Sequence, residues 1–509
     1  MMRSDRLMWC LRAFLATWGS VLLLAGPAAA QDVKMQPTRA MEWKPPTFPN
    51  ATLHARIPFL VPARQWERLD IWVPKTPTDA RLPCLVAVYG GGYGDKVGGF
   101  VKDFRPLLDR GYVVAAPDYA LKTNAPVPLC SWDVANAIRF LRAHAARYRI
   151  DPERIGVWGW SAGGWIAQDL CYTGPERLVR VAIRDRKTNK KTFVHLPMRQ
   201  PRPQYADRSV RVQAVVSDWG AGKLWDRRTK APRPWLSSDD PSLFTCYQGA
   251  LTDQTVNPVT LLKTLGVPAA GVYGFTKNTH VPALTTPCVG EDGRKTTWGR
   301  SIHDFLDARL KTIDTATSPE MIPHGGFIDR PTAVRLLTVH PGGAIHHTLD
   351  GSEPDKASPR YAGPVEVKPG QTLKAVVIRP GLKTSRATTG TFAPGPPKPT
   401  ITTTDRVFKA KVGTPLTVAF QAANAGAAAW YAGGMMGDTF RSFAGQRYNP
   451  PRHIAWMRID ARTGVLSGTP RAAGLYPVIV ACVTLIEGKP RTAPTWAADA
   501  VLIVVRVEK

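Results

Sequence analysis

Acidic residues are scarce in this chain. Its 509 residues hold 39 Asp and Glu against 67 Lys and Arg, a formal charge of +28. A surface of that sign favours acidic partners such as uronic-acid or sulfated glycans, and it attracts nucleic acid or anionic membrane only without specificity. Generous Lys and Arg usage on a solvated face gives the same balance. Cysteine is sparse as well: there are seven and none forms a CxxC pair, so the spacing used by structural zinc sites is missing. After residue 30 no apolar run is long enough to cross a membrane. Glycine and proline, by contrast, number 43 and 46, which implies many turns and loops, while 44% hydrophobic residues exclude collagen and wholesale disorder. The length corresponds to about three domains.

The first residues follow a different plan. Arg3, Arg6 and Arg12 precede an apolar stretch over 13–25, and Ala28, Ala29 and Ala30 come before the polar Gln31 and Asp32. That is the layout of a signal peptide over residues 1–30, with cleavage expected after Ala30. The stretch is shorter than the ~20 residues a spanning helix needs, and Gly19, Gly26 and Pro27 interrupt it. Cys10 lies ahead of the apolar stretch, badly placed for lipid attachment. Cleavage removes three arginines and one aspartate, bringing +28 to +26. The expected mature protein has no transmembrane segment. It keeps Cys84, Cys130, Cys171, Cys246, Cys288 and Cys482; export permits disulfides among them without requiring any.

From about 51 to 310 strand-like runs alternate with helix-like stretches: an apolar run Leu82–Val88, a strand over 112–116, a helix over 132–146, a strand over 154–158 and a second helix after Ser161. Alternation of this kind predicts a mostly parallel sheet with helices on both faces. Residues 175–208 break the rhythm with ten Lys or Arg, as an insertion or lid whose plainer reading is a solvated loop. After Thr312 short β-like runs are separated by Gly, Pro and Asp turns and no long helical pattern returns, which predicts two small all-β sandwich modules. The Pro-rich segment 393–399 is expected to be a stiff linker between them. His340, His346 and His347 suggest a metal site at first sight, but adjacent strand residues point to opposite faces, and no metal is expected.

The chemistry centres on Gly159-Trp160-Ser161-Ala162-Gly163, a G-x-S-x-G sequence between an apolar strand and a small-residue helix start. A serine hydroxyl becomes a useful nucleophile when a sharp turn presents it beside a base, and flanking glycines permit that turn. Alone the pentapeptide is a weak signal, since a glycine-rich strand-to-helix turn can be purely structural. Tyr89-Gly90-Gly91-Gly92, about 70 residues earlier and directly after the run Leu82–Val88, supplies context. A tetrahedral intermediate needs backbone N–H groups aimed at its oxyanion. Gly91, Gly92 and the N–H of Ala162 are therefore the expected oxyanion hole.

These segments, with Pro117-Asp118-Tyr119, Asp133-Val134 and Asp151-Pro152-Glu153-Arg154-Ile155, stand in the order and spacing of α/β-hydrolases. Over residues 52–312 the chain resembles most closely the secreted esterase/lipase group that includes bacterial feruloyl and acetyl-xylan esterases, the BD-FAE type. It departs where Tyr89 replaces the usual His of the oxyanion motif and where Trp165 replaces a His after the elbow. In this fold acid and base follow the nucleophile in the order Ser, Asp or Glu, His. Residues 249–258 resemble the family's acid-bearing loop with one extra residue, which implies Asp253 as the acid, Asp218 being the alternative after the strand 212–216. His280, following the strand 269–273, is the implied base, and a helix over 301–310 closes the domain. His303 inside that helix is expected to be structural; His54, His144 and His195 match no site position.

Residues 330–393, with Asp350-Gly351-Ser352-Glu353-Pro354 and Ser358-Pro359-Arg360-Tyr361, resemble the chitobiase/β-hexosaminidase C-terminal type of module. Residues 400–509, with Ile459-Asp460-Ala461-Arg462-Thr463-Gly464 and Ser467-Gly468-Thr469-Pro470, resemble immunoglobulin-like modules. The resemblances imply an exported bacterial protein, secreted, periplasmic or held at the cell surface. It is expected to be a serine carboxylic-ester hydrolase that removes acetyl or feruloyl groups from polysaccharide through Ser161, His280 and Asp253, with no cofactor. Partners are an acylated polysaccharide or a small ester, with an acidic glycan possible and no specific nucleic acid. The alternatives are a small-molecule carboxylesterase, a serine peptidase of the same fold, or a non-catalytic glycan-binding surface protein.

Overall fold

The run Leu82–Val88 is buried at every position, as a strand covered on both faces by helices must be. It forms β3 of a ten-stranded sheet. The strands in chain order are β1 (Ala51–Pro58), β2 (Arg68–Pro74), β3, β4 (Val113–Pro117) and β5 (Ile150–Trp160). A separate hairpin, β6 (Val179–Arg184) with β7 (Lys191–Leu196), comes next. The sheet resumes with β8 (Ala214–Asp218), β9 (Ser242–Gln248), β10 (Ala269–Phe275), β11 (Pro287–Gly290) and β12 (Lys295–Thr297). Its order is β1-β2-β4-β3-β5-β8-β9-β10-β11-β12. Pairing is parallel from β4 through β10 and antiparallel at β1–β2, β2–β4, β10–β11 and β11–β12. The structure, a computed structural model, describes residues 44–92, 104–121, 128–173, 179–184, 191–196, 204–218, 224, 236–248, 258–275, 282–426, 428–433, 456–485 and 496–509. Residues 1–30, read as a signal peptide, lie outside these.

Helices α1 (Arg105–Asp109), α2 (Pro128–Ala143), α3 (Ala162–Gln168), α4 (Pro258–Thr264) and α5 (Trp298–Leu310) connect the strands. Thr297 caps α5 by accepting the Arg300 N–H at 3.3 Å. The other end of α5 explains Gly156 in β5, where an added Cβ would lie 2.9 Å from Leu310 Cδ1. One core, including Trp72, Tyr89, Trp158, Ile166, Val215 and Leu306, fills the α/β unit.

Two further cores follow. Val334, Leu336, Val367, Leu373, Val377 and Phe392 pack together over residues 316–392, and Trp430, Leu466, Val480, Ile503 and Val505 over 401–507. Both regions are strands in small sheets. Two expectations are corrected. The segment 175–208 contains an antiparallel hairpin where a loop was expected, with Val179 opposite Leu196 and Arg184 opposite Lys191. Ala393 and Pro394, assigned to the linker, end a strand (Thr388–Pro394) and pair with Phe327 and Ile328.

Residues 316–392 also dock on the α/β unit through buried and part-buried polar contacts, all within one compact unit (Thr38–Lys509). Glu153 on β5 accepts from His340 Nδ1 at 2.9 Å and from Arg379 Nε at 2.9 Å. The Thr317 N–H donates to His340 Nε2 at 2.7 Å. Glu320 accepts the Val210 N–H at 2.7 Å, Gln213 donates to Thr317 at 2.9 Å, and Thr388 donates to Asp239 at 2.7 Å. Burial works to raise the Asp239 carboxyl, but the cations Arg211 and His324 help bring it down to about 2. Glu153, Val210, Gln213 and Asp239 all lie at or before the starts of β5, β8 and β9. The module therefore docks at the N-terminal ends of these strands, opposite the ends that lead to Ser161.

Candidate active site

Ser161 stands between the last residue of β5 and the first of α3, at φ 51° and ψ −121°. Side chains beyond glycine are rarely held there, and such a residue costs of order 1–3 kcal/mol unless its surroundings enforce it. They do so here. The Ser161 N–H donates to the Asp218 carbonyl at 2.8 Å, continuing the β5–β8 pairing, and the Trp165 N–H donates to the Ser161 carbonyl at 3.2 Å. The glycines around it have no room for a side chain: a Cβ on Gly159 would strike the Gly163 carbonyl, one on Gly163 the Val88 carbonyl, and one on Gly164 would come 2.8 Å from the Asp218 carbonyl. The helix start is thus pressed against the ends of β3, β5 and β8. Ser161 itself is only half-buried.

The glycine loop after β3 lies directly against this elbow. A Cβ on Gly90 would stand 3.0 Å from Ser161 Cβ, and Gly91 and Gly92 have φ of 109° and 59°, values that glycine alone adopts readily. Ala162 opens α3, so its N–H belongs to the first turn, whose donors have no partner inside the helix. Gly90, the first residue of the loop, thus packs against Ser161, and Gly91 and Gly92 follow it in the chain. The loop is gripped from β4 by Tyr119, whose hydroxyl donates to the Tyr89 carbonyl at 2.8 Å while its own N–H donates to the Tyr89 hydroxyl at 3.3 Å. The two rings stack with centroids 4.3 Å apart. Burial, above all, pushes both phenols far above their usual range, so both remain neutral.

Asp218 is buried at the end of β8 and accepts the Trp158 indole N–H at 3.2 Å. Asp253 and His280 lie outside the described residues. They fall in the segments 249–257 and 276–281, which leave the ends of β9 (Gln248) and β10 (Phe275), neighbouring parallel strands. Several described histidines stand apart from Ser161 in the fold. His303 is buried in α5 and pushed down to about 4 by burial and then by Arg110. His54 packs edge-on against Tyr148, His144 bonds the Phe140 carbonyl at 2.9 Å, and His346 the Ser358 carbonyl at 2.8 Å.

Sequence reasoning missed the tyrosine pair and a buried chain beneath the elbow, in which Gln168 donates to Ser217 at 3.0 Å and Thr245 to the Ser217 carbonyl at 2.8 Å. Pro117-Asp118-Tyr119 was visible as a motif, but nothing in it reveals its partner.

A strand order of 1-2-4-3-5 continuing across parallel strands, with a strained serine between β5 and the following helix, defines an α/β-hydrolase fold. Residues 69–276 match the BD-FAE family model, and residues 323–389 match the chitobiase/β-hexosaminidase C-terminal domain model. The chain carries a BD-FAE domain, an esterase domain of α/β-hydrolase type, followed by a chitobiase/hexosaminidase C-terminal domain. Among curated proteins it is similar to methylphloroacetophenone synthase of Cladonia uncialis, 29% identical over 153 residues, 26% of this chain and 6% of that protein. It is also similar to arylacetamide deacetylase of Oryctolagus cuniculus, 34% identical over 103 residues, 19% of this chain and 26% of that protein. The chain thus spans about a quarter or less of the length of these relatives. Among solved structures it is similar to a truncated form of carbohydrate esterase from gut microbiota, 19% identical with a TM-score of 0.42, covering 53% of this chain and all of that one. No helix among the described residues is long and apolar enough to cross a membrane.

Proposed function

We propose that the protein is an exported serine carboxylic-ester hydrolase that removes acetyl or feruloyl groups from polysaccharide. The observation that carries this reading is the backbone of Ser161, held at φ 51° over a turn from which side chains are excluded, with a glycine loop against it. A protein using the fold only as a binding scaffold has no need to maintain that strain. In the proposed cycle neutral His280 takes the Ser161 proton as the hydroxyl attacks the ester carbonyl, and Asp253 orients the ring and stabilises the imidazolium. The N–H groups of Gly91, Gly92 and Ala162 receive the oxyanion. The imidazolium protonates the departing alcohol, and water then repeats the steps on the acyl-enzyme.

The assignment of acid and base is supported by chain reach. Asp253 and His280 each lie five residues beyond the end of their strand, at most about 18 Å of chain. The polysaccharide substrate and export rest on the sequence resemblances and on residues 1–30. Steady-state rates on a chromogenic acetate ester and on acetylated and feruloylated xylan test the proposal, with Ser161→Ala as control. The control should lose several orders of magnitude in kcat, because nucleophile and base act as one unit. Activity within tenfold of the parent would remove Ser161 from the mechanism.

A further inference from the structure

We infer that Tyr119 is a positioning residue for the oxyanion loop, fixing through its hydroxyl the peptide from which Gly90, Gly91 and Gly92 depart. The inference rests on the serine-hydrolase reading above and deepens it.

The loop has a mechanical problem. Gly90 to Gly92 leave β3 with the freedom that makes close approach to Ser161 possible, and Gly91 and Gly92 both take positive φ. Donors that wander do not stabilise a developing oxyanion, since the catalytic benefit depends on their being aimed before charge appears. Something outside the glycines must set their direction. The Tyr89 carbonyl is the last fixed point before them, and it is held from two sides. A Cβ on Gly163 would lie 2.6 Å from it, so the elbow helix limits it sterically. On the other side the Tyr119 hydroxyl donates to it at 2.8 Å.

The grip is reciprocal. Tyr119 stands two residues beyond β4 and Tyr89 one residue beyond β3, on neighbouring parallel strands. The Tyr119 N–H donates back to the Tyr89 hydroxyl at 3.3 Å, and the rings lie nearly parallel, 15° between planes. The far side is anchored by Asp133 of α2, which accepts the Ala120 N–H at 2.8 Å. All of these groups are buried. A rotation of the Tyr89–Gly90 peptide must therefore break a water-excluded hydrogen bond. A neutral phenol also adds no negative charge beside the place where the substrate oxygen becomes negative.

Tyr119→Phe removes the hydroxyl that donates to the Tyr89 carbonyl and keeps the stacked ring. Deleting an oxyanion donor outright costs about 10²–10³ in kcat, and loosening donors that remain should cost less, roughly 10–100-fold. The fall should appear in kcat per titrated active site, with KM within about twofold. Affinity for a boronic-acid inhibitor, whose tetrahedral adduct occupies the same donors, should fall by a similar factor. Tyr89→Phe leaves the carbonyl bond intact and should cost only a few-fold. Per-site turnover of Tyr119→Phe within threefold of the parent would overturn the inference. So would a loss of active-site count with unchanged per-site turnover, or unchanged boronate affinity. If Ser161→Ala stays active in the same assays, the serine-hydrolase reading itself has failed, a result distinct from a silent Tyr119.

Discussion

Replacing Glu153 by Gln changes one atom type in a carboxylate that joins two cores, and the structure gives the size of the effect. One oxygen of Glu153 receives Arg379 at 2.8 and 2.9 Å and the other receives His340 Nδ1 at 2.9 Å. The imidazole cannot adapt, because its Nε2 accepts the Thr317 N–H and so carries no proton. A Gln amide has one acceptor and one donor end, and whichever way it turns, its NH₂ faces an N–H. Hydrogen bonds to charged groups contribute about 1.5–3 kcal/mol against about 0.5–1.5 for neutral ones. The Arg379 side is partly exposed, 32%, so its loss is discounted to about 1 kcal/mol. A buried donor left opposed at His340 adds about 1–3 kcal/mol. The sum, about 2–4 kcal/mol, converts at roughly 2–4 °C per kcal/mol, the figure for domains of about 150–250 residues, into a Tm lower by roughly 4–16 °C. Calorimetry on parent and variant, with ester turnover at 25 °C as a control that should stay near the parent value, measures it. The His340 pKa is lowered, chiefly by burial, from 6.5. The folded protein thus refuses a proton that the unfolded chain accepts, and this part of the stability is complete above pH 6.5 and fades as pH falls toward the folded value. His340→Ala should make the acid decline of Tm shallower and leave the share due to His303. A Tm change below 2 °C for Glu153→Gln would refute the claim that this carboxylate ties the two cores together.

Further outcomes follow from the elbow and the proposed triad. Asp253→Asn should reduce kcat on the order of 10⁴-fold if the wrong histidine tautomer results, whereas Asp218→Asn should be mild on turnover. The reverse ranking would move the acid to β8. Turnover should rise with an inflection near pH 6–7, about the free imidazole value, and a flat profile from pH 5 to 9 would argue against a histidine base. Gly163→Ala would drive a methyl group into the Val88 carbonyl. Soluble yield and Tm should fall together, by several kcal/mol on the order of core overpacking or worse, and a stable, active Ala variant would show that the elbow has slack.

The parts that were legible in the sequence share a physical basis. β3 was found at its true limits because a parallel strand covered on both faces must be apolar throughout. The elbow was found because its glycines record contacts that admit no Cβ. Boundaries failed where proline misled: α2 begins at Pro128 rather than 132, since proline is tolerated in the first helical turn, and β5 runs from Ile150 through Pro152, a segment resembling a turn. The docking contacts were illegible for another reason. Glu153 meets His340 and Arg379 across separations of 187 and 226 residues, and no local pattern reports such a pairing. His340, weighed as a metal ligand, proves to be the connecting imidazole. The tyrosine pair was half visible, in the unusual residue at position 89.

The thiols of the molecule bear on its handling. Cys84, Cys288 and Cys482 are free and buried, and Cys171 is free and half-buried. Burial pushes the Cys482 thiol up to about 11 and the Cys84, Cys171 and Cys288 thiols upward as well. Oxidation and disulfide exchange proceed through the thiolate, which these groups scarcely populate at neutral pH. The three cores are held by packing and polar contacts rather than by bonds among these four sulfurs, so reductant in a purification buffer has no cross-link to cut at any of them.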